Sequence, residues 1–395
     1  MKLFQKLLLG PAALGMLSPI AVSASETNFK DTNDYSQSNI EVSIESFKPL
    51  SSKNPLLAGG EGLNQNAGES FDFDEDSFSS TTSASFTANF AAGSIDDGSS
   101  STIHAGFDYV IGLTTGFTGN DSLDVEIEAG TLSEFDAIDF VADGKTLSLA
   151  SISYTKELGD RLTVFFGDGA AGSALYNTAC AYSGVTNALD DCGNLNSAID
   201  VEFGNAAGLG VDLGNGFAAA IGLETQGNSN SYGMFTDESA DAFGAQVSYT
   251  GDNYGISLTW ANIENTTSGV LDNDQGATQS TGINAYFTPG LDNFPSVSVG
   301  FESNHNDSSL VTDADDESTH FFVGLQWDEL GNGTFGAAVG TKTPTAENGT
   351  AQVQYEAYYA YNYADGITIT PLFYNRENSG SSDDTGVIVK TTFEF

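Results

Sequence analysis

The chain has 395 residues, with 54 acidic against 11 basic side chains and a formal net charge of -43. A surface of that sign repels phosphate backbones and excludes nucleic acid as a partner. Beyond residue 24 no run approaches the roughly 18 to 20 apolar residues that a spanning helix needs, so any membrane crossing must be made by strands.

The first segment reads as an export leader. Lys2 and Lys6 form a basic start, Leu7 to Val22 an apolar stretch broken by Gly10, Pro11, Gly15 and Pro19, and Val22-Ser23-Ala24 a small-residue cleavage site. The breaks argue against an uncleaved anchor, and the mature chain is expected to start at Ser25. Residues 25–78 are polar, carry acidic clusters such as Asp72, Asp74, Glu75 and Asp76, and show no sustained period. They are read as a flexible, disordered periplasmic extension.

From residue 79 onward the pattern is one of alternating segments separated in turn by short and long connections. Rising strands are expected near 80–92, 122–129, 161–167, 217–224, 255–262, 295–301, 334–341 and 367–374. Falling strands follow near 104–116, 147–155, 199–212, 241–249, 279–287, 319–327, 352–363 and 386–395. The fold class this implies is all-β, a transmembrane antiparallel β-barrel of 16 strands. An even count returns both ends to one side, as in single-chain barrels. A soluble β-sandwich also alternates, but here aromatic residues gather at strand ends, as at a membrane interface.

The last strand gives the clearest alternation. Val387, Val389, Thr391, Phe393 and Phe395 share one face, suited to outer-membrane lipid, and Ile388, Lys390, Thr392 and Glu394 the other. Phe393 and Phe395 form the terminal aromatic signal that barrel assembly machinery reads. With Leu123, Val125 and Ile127 toward lipid, parity puts Asp124, Glu126 and Glu128 on the lumen wall, and likewise Asp108, Asp200, Glu202 and Lys390. Six basic residues remain beyond residue 78, so the expected field in the lumen is negative and favours cations.

Cys180 and Cys192, separated by a polar stretch in an exported chain, are expected to form a disulfide that closes a surface loop. His104, His305 and His320 lie apart, near loops or strand edges, and neither a zinc spacing nor a GxSxG nucleophile motif occurs. No cofactor, metal or enzymatic activity is expected. The run Asp313, Asp315, Asp316 and Glu317 lacks EF-hand spacing and reads as a solvated loop.

The leader MKLFQKLLLGPAALGMLSPIAVSAS, the segment YEAYYAYNYADGITITPLFY (Tyr355 to Tyr374) and the close VIVKTTFEF resemble the outer-membrane porins of cyanobacteria, a family related to carbohydrate-selective porins and including members labelled iron-uptake porins. These segments cover under a fifth of the chain. Members usually carry an S-layer-homology domain and a coiled coil before the barrel, and residues 25–78 hold neither. The resemblance implies a water-filled channel for passive diffusion of small hydrophilic solutes and ions, and a homotrimer. In a barrel built like general porins, the longest connection, Asp168 to Ala198, drops into the lumen. Asp168, Asp190 and Asp191 would then line the constriction, and the disulfide would stiffen the loop tip. A closed adhesive barrel is the other reading, opposed by the strand number, because barrels fill their interior at about eight strands.

Overall fold

The computed structural model describes residues 81–395 apart from 100, 142–143, 191, 195–196, 202–203, 227–233, 236–239, 265–275, 292–293 and 308–315. The expected leader and extension, together with Asp191, Glu202, Asp313 and Asp315, lie outside the described residues.

The first eight strands are β1 (Thr82–Asp96), β2 (Ser101–Thr115), β3 (Asp121–Gly130), β4 (Gly144–Leu158), β5 (Leu162–Asp168), β6 (Asn205–Gly214), β7 (Phe217–Thr225) and β8 (Asp241–Thr250). Then come β9 (Tyr254–Glu264), β10 (Ala277–Phe287), β11 (Ser296–Asn306), β12 (Glu317–Trp327), β13 (Gly333–Thr341), β14 (Thr345–Ala346), β15 (Val353–Ala364), β16 (Ile367–Arg376) and β17 (Asp384–Glu394). The two-residue β14 continues the row of β13 against β12, so the wall has sixteen staves. Each stave pairs antiparallel with its sequence neighbours, and β17 returns to β1 to close the barrel. No helix among the described residues is long and apolar enough to cross a membrane.

Period-two alternation dictates the two faces. On β17, Val387 and Val389 are 56 % and 41 % exposed while Ile388 between them is 1 %. The outward face continues around the wall through Ile221, Val247, Leu258, Ile283, Val299 and Phe373, all exposed. A continuous apolar exterior of this extent is unfavourable in water and matches hydrocarbon, which makes the closed sheet a membrane-spanning barrel of the outer-membrane type.

Local chemistry sets the short turns. The Asp121 carboxylate accepts hydrogen bonds from the Phe117 and Thr118 amides at 2.9 and 2.8 Å, which folds the β2–β3 turn. Between β6 and β7, Asn215 and Gly216 take φ of 57° and 84°, the left-handed pair that a two-residue hairpin requires.

The strands outrun several expected bounds. β1 reaches Asp96 and β2 begins at Ser101, and β11 and β12 extend to Asn306 and from Glu317. β6 begins at Asn205 rather than near 199, because the preceding residues are drawn inward by a contact described below.

Candidate pore site: an acidic wall and two inward loops

Register propagates one face around the barrel. Lys390 pairs with Ala91, Asn89 with both Thr392 and Asp108, and Thr114 with Asp124. Asp108, Asp124, Glu126, Glu128 and Lys390 therefore share the face that carries Ile388 and points inward. Asp124 accepts hydrogen bonds from the Thr114 and Ser122 hydroxyls at 2.7 and 2.8 Å, and Asp108 from the Asn89 amide at 2.7 Å.

The described residues of the connection between β5 and β6 (169–204) fold into the barrel. Three wall carboxylates hold it. Glu224 of β7 accepts from the Gly172 amide at 2.8 Å and the Val201 amide at 3.3 Å, joining the outgoing and returning limbs. Glu302 of β11 accepts from the Ser197 amide and hydroxyl, both at 2.8 Å. Glu356 of β15 accepts from the Tyr182 hydroxyl at 2.6 Å, the Val185 amide at 3.2 Å and the Thr186 hydroxyl. All three carboxylates are buried. Burial, reinforced by the adjacent Glu356 charge, pushes the Tyr182 hydroxyl up, so it remains a donor. Further bonds run from the Ala181 amide to Ser298 at 2.9 Å, from the Ser183 amide to Gln326 at 2.7 Å, and from Asn284 to the Cys192 carbonyl at 2.5 Å.

The loop lies so close to the wall that side chains are excluded at some wall positions. A Cβ at Gly300 would run into the Cys192 carbonyl oxygen, and one at Gly222 into that of Gly172. Gly300→Ala is therefore expected to lift the loop off β11. A fall in thermal midpoint equivalent to about 1 to 3 kcal/mol, the usual penalty of overpacking, would be read from heat-dependent gel mobility. An unchanged midpoint would show that the close approach is not needed.

Cys180 and Cys192 are disulfide-bonded with their Cα atoms 6.3 Å apart, as expected. Both are buried inside the barrel rather than on a surface loop. They join Tyr182 and Leu189 in an apolar cluster with Phe322, Tyr358, Leu372, Tyr374, Ile388 and Ala91 of the wall. The same cluster includes Leu132, Phe135, Ala137 and Ile138 from the β3–β4 connection, which also folds inward. The Asn187 amide donates to the Ala137 carbonyl at 3.1 Å, so the two loops meet. Phe140 of this second loop lies 6.0 Å beneath the Lys390 ammonium. Arg376 ties the loop to the wall, reaching Asp136 at 3.0 Å and Asp384 at 2.7 Å.

Several sequence expectations need correction. Asp168 is the last residue of β5 and alternates with the inward Phe165, sharing the outward parity of Phe166, so it stands at the outer rim instead of in an eyelet. Asp200 is exposed and precedes β6, on the returning limb where the Val201 amide is held by Glu224, so it is not a wall residue. His320 is buried, three residues from the start of β12. Asp190 sits half-buried in the loop tip, in a turn formed by its amide bonding the Thr186 carbonyl at 3.1 Å. Among the described residues no group of three His, Cys, Asp or Glu side chains could hold a metal.

Sequence parity missed Glu224, Glu302 and Glu356, although a signal was present. Gly222-Leu223-Glu224 and Gly300-Phe301-Glu302 repeat one arrangement, an inward glycine that admits the loop followed by an inward carboxylate that fixes it.

Compared with solved structures, the chain is similar to an anion-selective porin from Comamonas acidovorans, at 14% identity and a TM-score of 0.56, over 80% of this chain and 100% of that one. The fold is that of a porin. A mutant of the Rh. blastica porin superposes with a TM-score of 0.51 at 12% identity, and a porin refined at 1.8 Å resolution with 0.51 at 14%, each over 80% of this chain and 100% of the other. No family model and no curated protein matches the chain. The porin likeness therefore covers the whole barrel and leaves the subfamily open.

Proposed function

We propose that the protein is an outer-membrane diffusion channel for small hydrophilic solutes and inorganic ions, with a preference for cations. The observation that carries this reading is the charge on the inward face. Asp124, Glu126 and Glu128 line β3, where the residues are only half-buried. Among the described residues the strand cations of inward parity are Lys390 and Arg376. Arg376 is engaged by Asp136 and Asp384, and Lys390 has Asp108, Glu394 and Asp139 as electrostatic neighbours. The two inward loops pack against β1, β2 and the β6–β17 side, so the path for solute is drawn along β3 to β5.

Purified barrels in planar bilayers under a KCl gradient test this reading. Stepwise conductance with a cation-signed reversal potential is expected, and an anion-signed potential would refute the preference. On the same reading residues 1–24 are a cleaved leader, 25–78 a periplasmic extension, three copies associate, and the Cys180–Cys192 tip forms the constriction with Asp190 and Asp191. A carbohydrate- or iron-selective role of the cyanobacterial kind would appear as saturable uptake of that solute in liposome swelling.

A further inference from the structure

The barrel closes where β17 meets β1, and the inner side of that junction carries a covering that the channel reading does not use. Residues 131–141 start against β2, where the Thr131 amide donates to the Phe107 carbonyl at 2.8 Å and a Cβ at Gly106 would run into Leu132. From there they reach across the junction. Leu132, Phe135 and Ile138 share one buried cluster with Ala91 of β1, Ile388 of β17 and Leu372 of β16. The floor beneath is continuous, since Gly93 of β1 pairs with Ile388 and a Cβ at Gly93 would overlap that side chain.

Charge follows the same geometry. The apolar side chains of this stretch are buried, while its three carboxylates, Glu134, Asp136 and Asp139, are exposed, and each faces a basic side chain of the wall. Glu134 Oε2 lies 3.9 Å from His104 Nδ1 of β2, whose ring stands edge-on to Phe135 with centroids 6.3 Å apart. Asp136 meets Arg376 of β16 at 3.0 Å. Asp139 is an electrostatic neighbour of Lys390 of β17, and the Lys390 ammonium stands over the Phe140 ring. One partner therefore lies on the β1 side of the junction and two lie on the β17 side. In a chain with 54 acidic and 11 basic residues, two cations converging on one short loop mark a fastening rather than a solvated edge.

We propose that residues 131–141 are a clasp that keeps the β1–β17 junction shut, anchored on β2 and hooked across the junction to β16 and β17. β1 and β17 are the two ends of the wall and share no connecting turn, so nothing covalent holds these neighbours side by side. With the clasp in place, parting them must also break the Asp136–Arg376 contact and divide the apolar cluster, which raises the free energy of local opening at this place above what the strand ladder alone supplies. The clasp is independent of what the channel conducts.

Hydrogen exchange of the detergent-folded full chain, resolved by peptide mass spectrometry, tests this, with β9 to β11 as the internal reference. In Asp136→Asn with Asp139→Asn, which keep side-chain shape, exchange of the β1 and β17 amides is expected to rise by about threefold or more, the scale of two partly exposed ion pairs. Phe135→Ala, which removes the largest apolar side chain of the clasp, should raise it by about tenfold or more. The β9 to β11 amides should keep the wild-type rate in both. Faster exchange confined to 131–141, with β1 and β17 unchanged, would show that the loop merely rests on the wall and overturns the proposal. A uniform rise over all strands overturns it too, since it reports overall stability instead of one junction. Asp136→Asn with Asp139→Asn decides the matter should Phe135→Ala fail to fold.

Discussion

Glu356→Ala is expected to increase single-channel conductance and to make the open level noisy. The carboxylate gathers three donors from the loop tip, the Tyr182 hydroxyl, the Val185 amide and the Thr186 hydroxyl, in a buried setting. Removing it strands all three, and each orphaned buried donor costs about 1 to 3 kcal/mol. Opening toward water is the cheaper outcome for the tip, which relieves the donors at the expense of the apolar cluster. Tyr182 still packs against Phe322 and Tyr358, with ring centroids at 5.5 and 6.1 Å, so the loop fluctuates instead of leaving altogether. Glu356→Gln keeps the shape and one acceptor, and an intermediate phenotype follows. A lowered thermal midpoint with unchanged conductance would show that the tip is anchored here without limiting the bore.

The second large effect concerns charge. Replacing the β3 row together, Asp124→Asn, Glu126→Gln and Glu128→Gln, is expected to cut the cation-signed reversal potential by about half or more at 0.1 M salt, where the Debye length is about 10 Å and wall charges act across the path. At 1 M salt the screening length falls to about 3 Å and the wild-type protein should approach the variant. Asn and Gln keep the shape of the side chains they replace and one acceptor oxygen each, so the fold should survive. An unchanged reversal potential at low salt would move selectivity away from β3.

Much of the wall was legible because a strand with lipid on one side and water on the other must alternate, and β3 and β17 do so without interruption. Parity thus put Asp108, Asp124 and Lys390 on one face before any coordinates, as the register has it. It failed where the chain leaves the wall. Asp200 stands on a segment with strand-like alternation, but the Val201 amide is captured by Glu224 from 23 residues away, a contact no local pattern announces. The inward course of 131–141 was equally hidden: Leu132, Phe135 and Ile138 are spaced as loop hydrophobics, and their partners Leu372 and Ile388 are strand residues more than 200 positions distant. The lumen glycines carried the missing information, since a small residue on a wet face marks where something else must fit.

One seam sets this barrel apart from a stack of hairpins. Every junction between neighbouring staves but one joins consecutive stretches of chain. β1 and β17 meet across ten registered pairs whose members lie about 300 positions apart, ending where Phe86 and Phe395 exchange amide and carbonyl at 2.9 and 3.1 Å. Joining such distant partners carries the largest chain-closure entropy in the wall, though that grows only logarithmically with length. The seam is thus the natural last step of assembly, and until it forms two edges of unpaired amides and carbonyls face the membrane, where they are least tolerated. The aromatic pair at its foot, Phe86 stacked on Phe395 at 5.5 Å, works as the pull-tab of a zip that must be brought to its rail before the rest can run.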